Sequence, residues 1–150
     1  MSLLIQSPLG PLGFDVMDGA ITTLKWGAPG NLVEGALADR LRDEFGAYFE
    51  GKLQRFTIPL APKSSEFQQT FYAALCDIPY GRTRTYGEMA VDLEVSPQAI
   101  GQACGANPIA ILIPCHRVLA ADGLGGYSGV GGIEAKVALL KLEGAGSLLI

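Results

Sequence analysis

Residues 111–118 read I-L-I-P-C-H-R-V and place Cys115 directly before His116, the one histidine of the chain. The apolar run 109–113 that leads into this stretch is typical of a strand or extended segment buried on both faces. A cysteine reacts as its thiolate, and a neighbouring imidazole can take its proton. Side chains of successive strand residues point to opposite faces, so the pair can cooperate only if Pro114 ends the strand. A buried cysteine beside a core histidine is the alternative interpretation.

Composition limits the class of protein. The 150 residues, 49% of them hydrophobic, suffice for one domain or for two small lobes. No run reaches the ~18 apolar residues of a membrane span, and the N-terminus lacks the basic start of a signal peptide. The cysteines, at positions 76, 104 and 115, show neither disulfide nor zinc-site spacing. We therefore expect a cytoplasmic protein with free thiols, no metal and no membrane partner.

The formal net charge of −4 argues against an electrostatic DNA-binding protein. The acidic excess lies in residues 1–50, however, and residues 51–150 carry as many acids as bases. The second part of the chain therefore permits a local basic face.

The first part of the chain predicts a small sheet followed by a helix. Asp18-Gly19, between two apolar alternations, indicates a hairpin. Asn31 is a candidate cap for a helix from about residue 32 to residue 49, which Gly51 ends. Residues 52–65 indicate an edge strand, at the apolar residues 56–58, and a linker that contains Pro59 and Pro62. We place the boundary between two domains, 1–58 and 59–150, directly after residue 58.

Three helices are predicted next. Ser64 is a candidate cap for the first. The two that follow are short and flank a tight turn, the first capped by Thr85 and the second by Ser96 with proline in its first position. Such a pair is a candidate helix-turn-helix, or simply two packed helices. The second is rich in small residues, such as Ala99 and Gly101, which suits close approach by another helix or by a nucleic acid backbone.

The loop at residues 121–132 contains six glycines but neither GxxxxGK[ST] nor a strand-GxGxxG-helix context. It indicates backbone that passes close to a ligand rather than a phosphate cradle. A last helix is predicted from Ile133 to about Glu143, with Lys136 and Lys141 on its outer face. Cys76 and Cys104 are interpreted as packing residues.

Seven short motifs follow one another along the second half of the chain: I-P-Y-G at 78–81, T-Y-G-E-M-A at 85–90, S-P-Q-A-I-G at 96–101, A-N-P at 106–108, I-P-C-H-R-V at 113–118, G-G-Y-S-G at 125–129 and K-L-E-G at 141–144. Together they resemble the O6-alkylguanine-DNA alkyltransferase family. The resemblance is strong over roughly residues 64–145, and I-P-C-H-R-V followed by G-Y-S-G is its most specific part.

The resemblance implies an α/β fold of the α+β kind. A small N-terminal sheet-and-helix lobe precedes a mostly helical C-terminal lobe with a winged-helix-like helix-turn-helix. It also implies direct-reversal DNA repair, in which the alkyl group of O6-alkylguanine, or of O4-alkylthymine, passes irreversibly to Cys115 in a single turnover. The double-stranded DNA is bound from the minor groove and the damaged base is flipped out. No cofactor is needed, and the protein acts as a monomer.

The resemblance further assigns catalytic roles. His116, polarised by Glu143, draws the proton from Cys115 through a water. Tyr86 serves N3 of the leaving guanine, and Asn107 braces the turn that carries the cysteine. The ordinary alternatives are a surface carboxylate for Glu143, a packed aromatic for Tyr86 and an Asn-Pro turn for Asn107.

A second group of residues is assigned to the substrate and the DNA. Around the base, the resemblance places Pro114, Val118, Tyr127, Ser128 and Gly129, with Pro114 and Tyr127 as opposite walls of the pocket and the Ser128 region at O6. On the DNA it places Thr85, Tyr86, Ser96, Gln98, Ala99 and Gly101. Core packing is the alternative for Pro114 and Tyr127, and a turn for Ser128. Arg117 either pairs with a phosphate or braces the fold, and we favour the second.

One position departs from the family pattern. The family usually has an arginine that fills the space of the flipped base, and this chain has Gln98. Glutamine is shorter and uncharged, so slower repair of duplex DNA is expected. The alternative function is a non-catalytic alkyltransferase-like protein that binds the lesion and recruits other repair factors. Those proteins carry tryptophan in place of the reactive cysteine, so Cys115 argues against it.

Overall fold

The computed structural model describes residues 2–27, 35–120, 123 and 133–145. The chain divides into two compact units, Met1–Lys63 and Ser64–Ile150. The sequence places a boundary after residue 58. In the structure, Ile21 N donates to Pro59 O (2.9 Å) and Ala61 N donates to Ile21 O (2.8 Å), so residues 59–61 lie against the sheet of the first unit.

The sheet of the first unit is antiparallel, in the order β1 (Ser2–Ile5), β2 (Leu12–Met17) and β3 (Ala20–Trp26). Asp18 and Gly19 join β2 to β3 with φ values of 52° and 77°. Positive φ at both turn positions matches the right-handed twist of the two strands, and Gly19 adopts it without steric cost. The hairpin predicted from the Asp-Gly pair is confirmed.

The helix α1 (Ala36–Phe49) accompanies this sheet. It buries Leu41, Phe45 and Tyr48, and the ring of Phe45 lies 5.3 Å from that of Phe14 on β2. The predicted cap Asn31 and the start of the predicted helix lie outside the described residues. The edge strand predicted at residues 56–58 is wrong. The pairing in this part of the chain is a single parallel bridge of Leu60 with Ile21, and Pro59 and Pro62 on either side of Leu60 cannot donate to a ladder.

The second unit begins with α2 (Glu66–Cys76). Its cap is Ser65, not the predicted Ser64. The Ser65 side chain accepts from Gln68 N (3.2 Å), and Gln68 Oε1 accepts from Ser65 N (2.8 Å). A reciprocal pair of bonds joins a cap to the third helical residue. Gln68 is that residue only when Ser65 is the cap, so the pair favours Ser65 over Ser64. Cys76, interpreted as a packing residue, is exposed.

Two short helices, α3 (Tyr86–Leu93) and α4 (Pro97–Gly105), form the predicted pair. Thr85 caps α3 in a reciprocal arrangement with Glu88, and Ser96 caps α4 by accepting from Ala99 N at 3.1 Å, as predicted. Glu94, in the left-handed region with φ 56°, ends α3 and turns the chain. The two helices pack through their small and apolar residues, which are Met89, Ala90, Ile100 and Ala103.

A two-residue parallel pair connects this helix pair to the cysteine stretch. β4 (Arg84–Thr85) pairs with β5 (Val118–Leu119), with Arg84 opposite Val118 and Thr85 opposite Leu119. β4 runs directly into α3, and β5 directly follows Cys115–Arg117. The pairing therefore brings the first turn of α3 beside the cysteine. α5 (Ile133–Leu142) is the last helix of the described residues.

The burial predicted for residues 109–113 is confirmed, since all five residues are buried. The strand predicted for them is wrong. Leu112 N donates to Ala110 O (2.9 Å) and Ile113 N to Ile109 O (2.9 Å), which folds the segment into a tight turn. Ile111 has φ 73°. A β-branched residue in the left-handed region stores roughly 1–3 kcal/mol of strain, so the surrounding contacts must hold it there.

Candidate active site

Cys115 opens a 3-10 turn, Cys115–Arg117, at the end of this strained segment. Pro114, with φ −82° and ψ 65°, turns the chain, and Cys115 N donates to Ile113 O at 2.8 Å. Cys115 is 4% exposed and His116 is fully buried. Pro114 thus does change the chain direction directly before the cysteine, and both members of the pair lie inside the protein.

Asn107 holds the turn that precedes the cysteine. Its Nδ2 donates to Ile113 O (2.9 Å) and its Oδ1 accepts from Ile109 N (3.0 Å). A single side chain therefore joins the two ends of the strained segment. The polar side chain of Asn107 also lowers the pKa of the Cys115 thiol, which favours the thiolate.

The electrostatics of Cys115 combine opposing effects. Burial raises the pKa of its thiol, whereas the Asn107 hydrogen bond, the charge of Lys136 and the backbone of Cys115 itself lower it. Burial is the largest of these effects. The resting group is therefore a thiol, and a base must take its proton before or during an attack.

His116 and Arg117 share one carboxylate. Glu143 Oε2 lies 2.9 Å from His116 Nε2 and 3.0 Å from an Arg117 terminal nitrogen, and Glu143 Oε1 accepts from Arg117 Nε at 2.9 Å. Arg117 also donates to Ile78 O at 2.7 Å. All three side chains are buried. Arg117 thus braces the fold through Glu143, and Glu143 is not the surface carboxylate that was its ordinary alternative.

The state of His116 follows from this arrangement. Burial lowers the pKa of the imidazole, the Glu143 hydrogen bond and charge raise it, and Arg117 and Lys136 lower it again. The net direction is downward, so His116 is neutral at neutral pH. A neutral ring that donates from Nε2 to Glu143 keeps a free lone pair on Nδ1. Nδ1 is buried and has no hydrogen-bond partner among the described residues, as a proton acceptor requires.

Tyr86 is the first residue of α3 and is half-buried. The β4–β5 pairing sets it beside the cysteine turn, because Thr85 lies opposite Leu119. Lys136 Nζ lies 5.8 Å from the centre of the Tyr86 ring. Pro114 and Val118 flank the 3-10 turn, and both are buried. The remaining predicted base-binding residues, Tyr127, Ser128 and Gly129, lie outside the described residues.

Lys136 was expected on the outer face of the last helix, and that expectation is wrong. It is fully buried, and Nζ donates to Val118 O at 2.7 Å. The spacing of Lys136, Leu140 and Glu143, i, i+4 and i+7, puts all three on one helix face. Because Glu143 was already assigned to the site, this periodicity was the signal that could have found Lys136.

The predicted DNA-binding residues lie on the helix pair. Ser96, Gln98 and Gly101 are exposed, and Ala99 is half-buried. A Cβ atom added at Gly101 or at Gly105 would meet nothing within 4 Å. Among the described residues, these two glycines therefore lie on an open side of α4, whereas the small residue Ala103 is buried against α3.

Residues 66–145 match the family model of the 6-O-methylguanine DNA methyltransferase DNA-binding domain, which is more than half of the chain. The chain belongs to the 6-O-methylguanine DNA methyltransferase family. Over 151 residues it is 41% identical to a methylated-DNA–protein-cysteine methyltransferase of Methanosarcina barkeri, covering 93% of this chain and 94% of the relative. A Mycobacterium leprae protein of the same name is 42% identical over 150 residues, covering 93% and 89%.

Solved structures of the family agree with this fold. The O6-methylguanine methyltransferase of Mycobacterium tuberculosis matches with a TM-score of 0.83 at 38% identity, covering 97% of this chain and 94% of that one. The OGT of M. tuberculosis, crystallised in complex with DNA, matches with a TM-score of 0.83 at 40% identity, covering 95% and 92%. The family resemblance and the α+β fold class are confirmed.

Two further findings concern the described residues alone. None of their helices is long and apolar enough to cross a membrane. Within the same ranges, no group of three or more histidine, cysteine or acidic side chains is placed to hold a metal ion.

Proposed function

We propose that the chain repairs DNA by moving the alkyl group of an O6-alkylguanine in double-stranded DNA onto Cys115, once per protein molecule. The observation that carries the proposal is the buried arrangement of Cys115 with His116, Glu143 and Asn107. It supplies a nucleophile, a neutral base, a group that orients the base and a brace for the nucleophile. Family membership and the DNA complex of the M. tuberculosis relative support the choice of substrate.

The proton leaves the thiol first. In the proposal, the free lone pair of His116 Nδ1 accepts it, directly or through a water, and Glu143 stabilises the imidazolium that forms. Arg117 limits this stabilisation, because it shares the same carboxylate. The histidine therefore takes the proton during the reaction and does not hold it at rest.

The thiolate then attacks the alkyl carbon. A C–S bond forms, the bond from that carbon to guanine O6 breaks, and its electron pair passes to the guanine ring. Tyr86 donates a proton or a hydrogen bond at N3 as the negative charge develops. The product is a thioether that no group of the site can cleave, so each molecule acts once. Apart from the DNA substrate, all reacting groups belong to the protein, so the proposal includes no cofactor and no metal.

An alkyl carbon inside the base stack lies out of reach of a buried thiol, so the base must rotate out of the duplex. The open glycine side of α4 and the capped N-termini of α3 and α4 suit close approach to a DNA backbone. We therefore place the minor groove against this helix pair, with Thr85, Ser96, Ala99 and Gly101 near the backbone. Gln98, exposed near the start of α4, is placed at the gap left by the flipped base.

Intact-mass measurement after incubation with duplex DNA that contains one O6-methylguanine tests this proposal. We expect a gain equal to one methylene, located on Cys115 by peptide mapping and absent in Cys115→Ser. Cys76→Ser, which changes an exposed thiol, serves as the matched control and should still take the methyl group. Tight lesion binding without any mass change would instead identify a non-catalytic alkyltransferase-like protein and reject the proposal.

A further inference from the structure

A buried lysine lies beside the proposed active site, although the roles assigned to the site leave it without a function. Lys136 is on α5 and is fully buried. Its Nζ donates at 2.7 Å to the carbonyl of Val118, the residue that follows the cysteine turn. The same nitrogen lies 5.8 Å from the ring centre of Tyr86. One ammonium group therefore contacts both chain segments that the β4–β5 pair brings together.

The sign of its charge suits the reaction. Burying an ammonium group costs free energy, and a lysine on the protein surface would avoid that cost. Burial lowers the pKa of Lys136, whereas Cys104 and Cys115 raise it, so the lysine and the two thiols interact electrostatically. The positive charge in turn lowers the pKa of Cys115. Coulomb interactions strengthen when water is excluded, as it is around these buried groups.

We propose that Lys136 is a positioning residue of the alkyl transfer: its ammonium group holds the backbone that follows the Cys115 turn and stabilises the thiolate of Cys115 by charge. The proposal rests on the function proposed above for its biological meaning. The electrostatic part concerns the thiol alone and is open to a test without DNA.

The charge and the hydrogen bond of Lys136 are separated by two variants. Lys136→Met removes both and keeps an unbranched apolar stem of similar length with a polarisable sulfur near Tyr86. Lys136→Gln removes the charge and keeps a donor. Lys141→Met is the matched control, because Lys141 lies exposed on the same helix. Thermal unfolding of each variant confirms that it is folded before reactivity is compared.

The measurement is the rate at which iodoacetamide labels Cys115, followed by peptide mass as a function of pH. The exposed Cys76 of the same sample serves as an internal reference for reagent and pH. Removing a nearby positive charge disfavours the thiolate, so both Lys136 variants should shift the labelling profile of Cys115 upward by about one pH unit. Labelling at pH 7 then falls about tenfold and recovers at high pH. Lys141→Met should match the wild type.

The outcomes distinguish an effect of the Lys136 charge on Cys115 from a merely structural role. An upward shift in both variants, with no change at Cys76, supports the proposal. Unchanged Cys115 profiles in both variants, or a loss of rate that high pH does not recover, overturn it, since a merely structural lysine would not move the midpoint. The function proposed above fails separately, if the wild-type protein shows Lys136-dependent labelling and yet takes no methyl group from DNA.

Discussion

Replacing Glu143 by glutamine probes the buried charge network at its centre. Glu143 is 4% exposed and accepts from Arg117 at 2.9 and 3.0 Å and from His116 at 2.9 Å. Glutamine has nearly the same shape, but its amide nitrogen turns N–H groups toward neighbouring donors. Arg117, 7% exposed, then keeps a buried positive charge without a carboxylate partner, beside the Ile78 carbonyl and the Tyr80 ring.

The expected loss of stability follows from the burial of the pair. Removing one partner of a buried ion pair costs about 3–5 kcal/mol, because the remaining charge is uncompensated. For a chain of this length, each kcal/mol lowers Tm by about 2–4 °C. We therefore expect Glu143→Gln to lower Tm by roughly 6–20 °C and to slow alkyl transfer as well, since His116 loses its carboxylate partner.

Urea and thermal unfolding, followed by far-UV circular dichroism, measure this loss. The control is Glu134→Gln, an exposed change on the same helix, which should stay within about 0.5 kcal/mol of the wild type. A double variant, Glu143→Leu with Arg117→Met, removes both charges and should regain most of the stability but not the activity. A loss below about 1 kcal/mol for Glu143→Gln, or no recovery in the double variant, would refute the buried-network argument.

Three further predictions concern the site. Gln98→Arg should speed the reaction with methylated duplex DNA and leave the rate with free O6-benzylguanine unchanged; equal acceleration of both would reject a role for position 98 in base flipping. The acid limb of the transfer rate should lie below pH 6.5, the ordinary pKa of a histidine, because burial lowers the pKa of His116 and the base is lost only as pH falls through the lowered pKa. A stopped-flow pH profile with its acid midpoint above 6.5 would contradict this. Gly81→Ala should lower the free energy of unfolding in urea more than Gly144→Ala does. Both glycines have φ 82°, which costs an alanine roughly 1–2 kcal/mol, but only at Gly81 would the new Cβ lie 3.0 Å from the backbone oxygen of Glu143. Equal losses would show that this contact is not tight.

Local signals were sufficient where short-range chemistry decides the structure. The Asp18-Gly19 turn and the caps Thr85 and Ser96 were predicted correctly, because turn dihedrals and helix caps depend on neighbouring residues. The motif around Cys115 predicted the family, since the cysteine and its histidine are adjacent in sequence. Even here the predicted position could be wrong by one residue, because the cap of α2 is Ser65 and not Ser64.

Long-range contacts decided the rest. A run of apolar residues such as 109–113 predicts burial but not conformation. Even the bonds of Asn107 to Ile109 N and Ile113 O, which span only two and six residues, were not visible in that pattern, and they hold a turn rather than a strand. No local rule pairs Arg117 with a carboxylate on the last helix, and none buries Lys136 against Val118, because those partners meet only when α5 packs beside the cysteine turn. The sequence alone predicted which residue is the proposed nucleophile. The tertiary structure determined the charges around it, because an electrostatic interaction depends on distance and burial in space rather than on spacing along the chain.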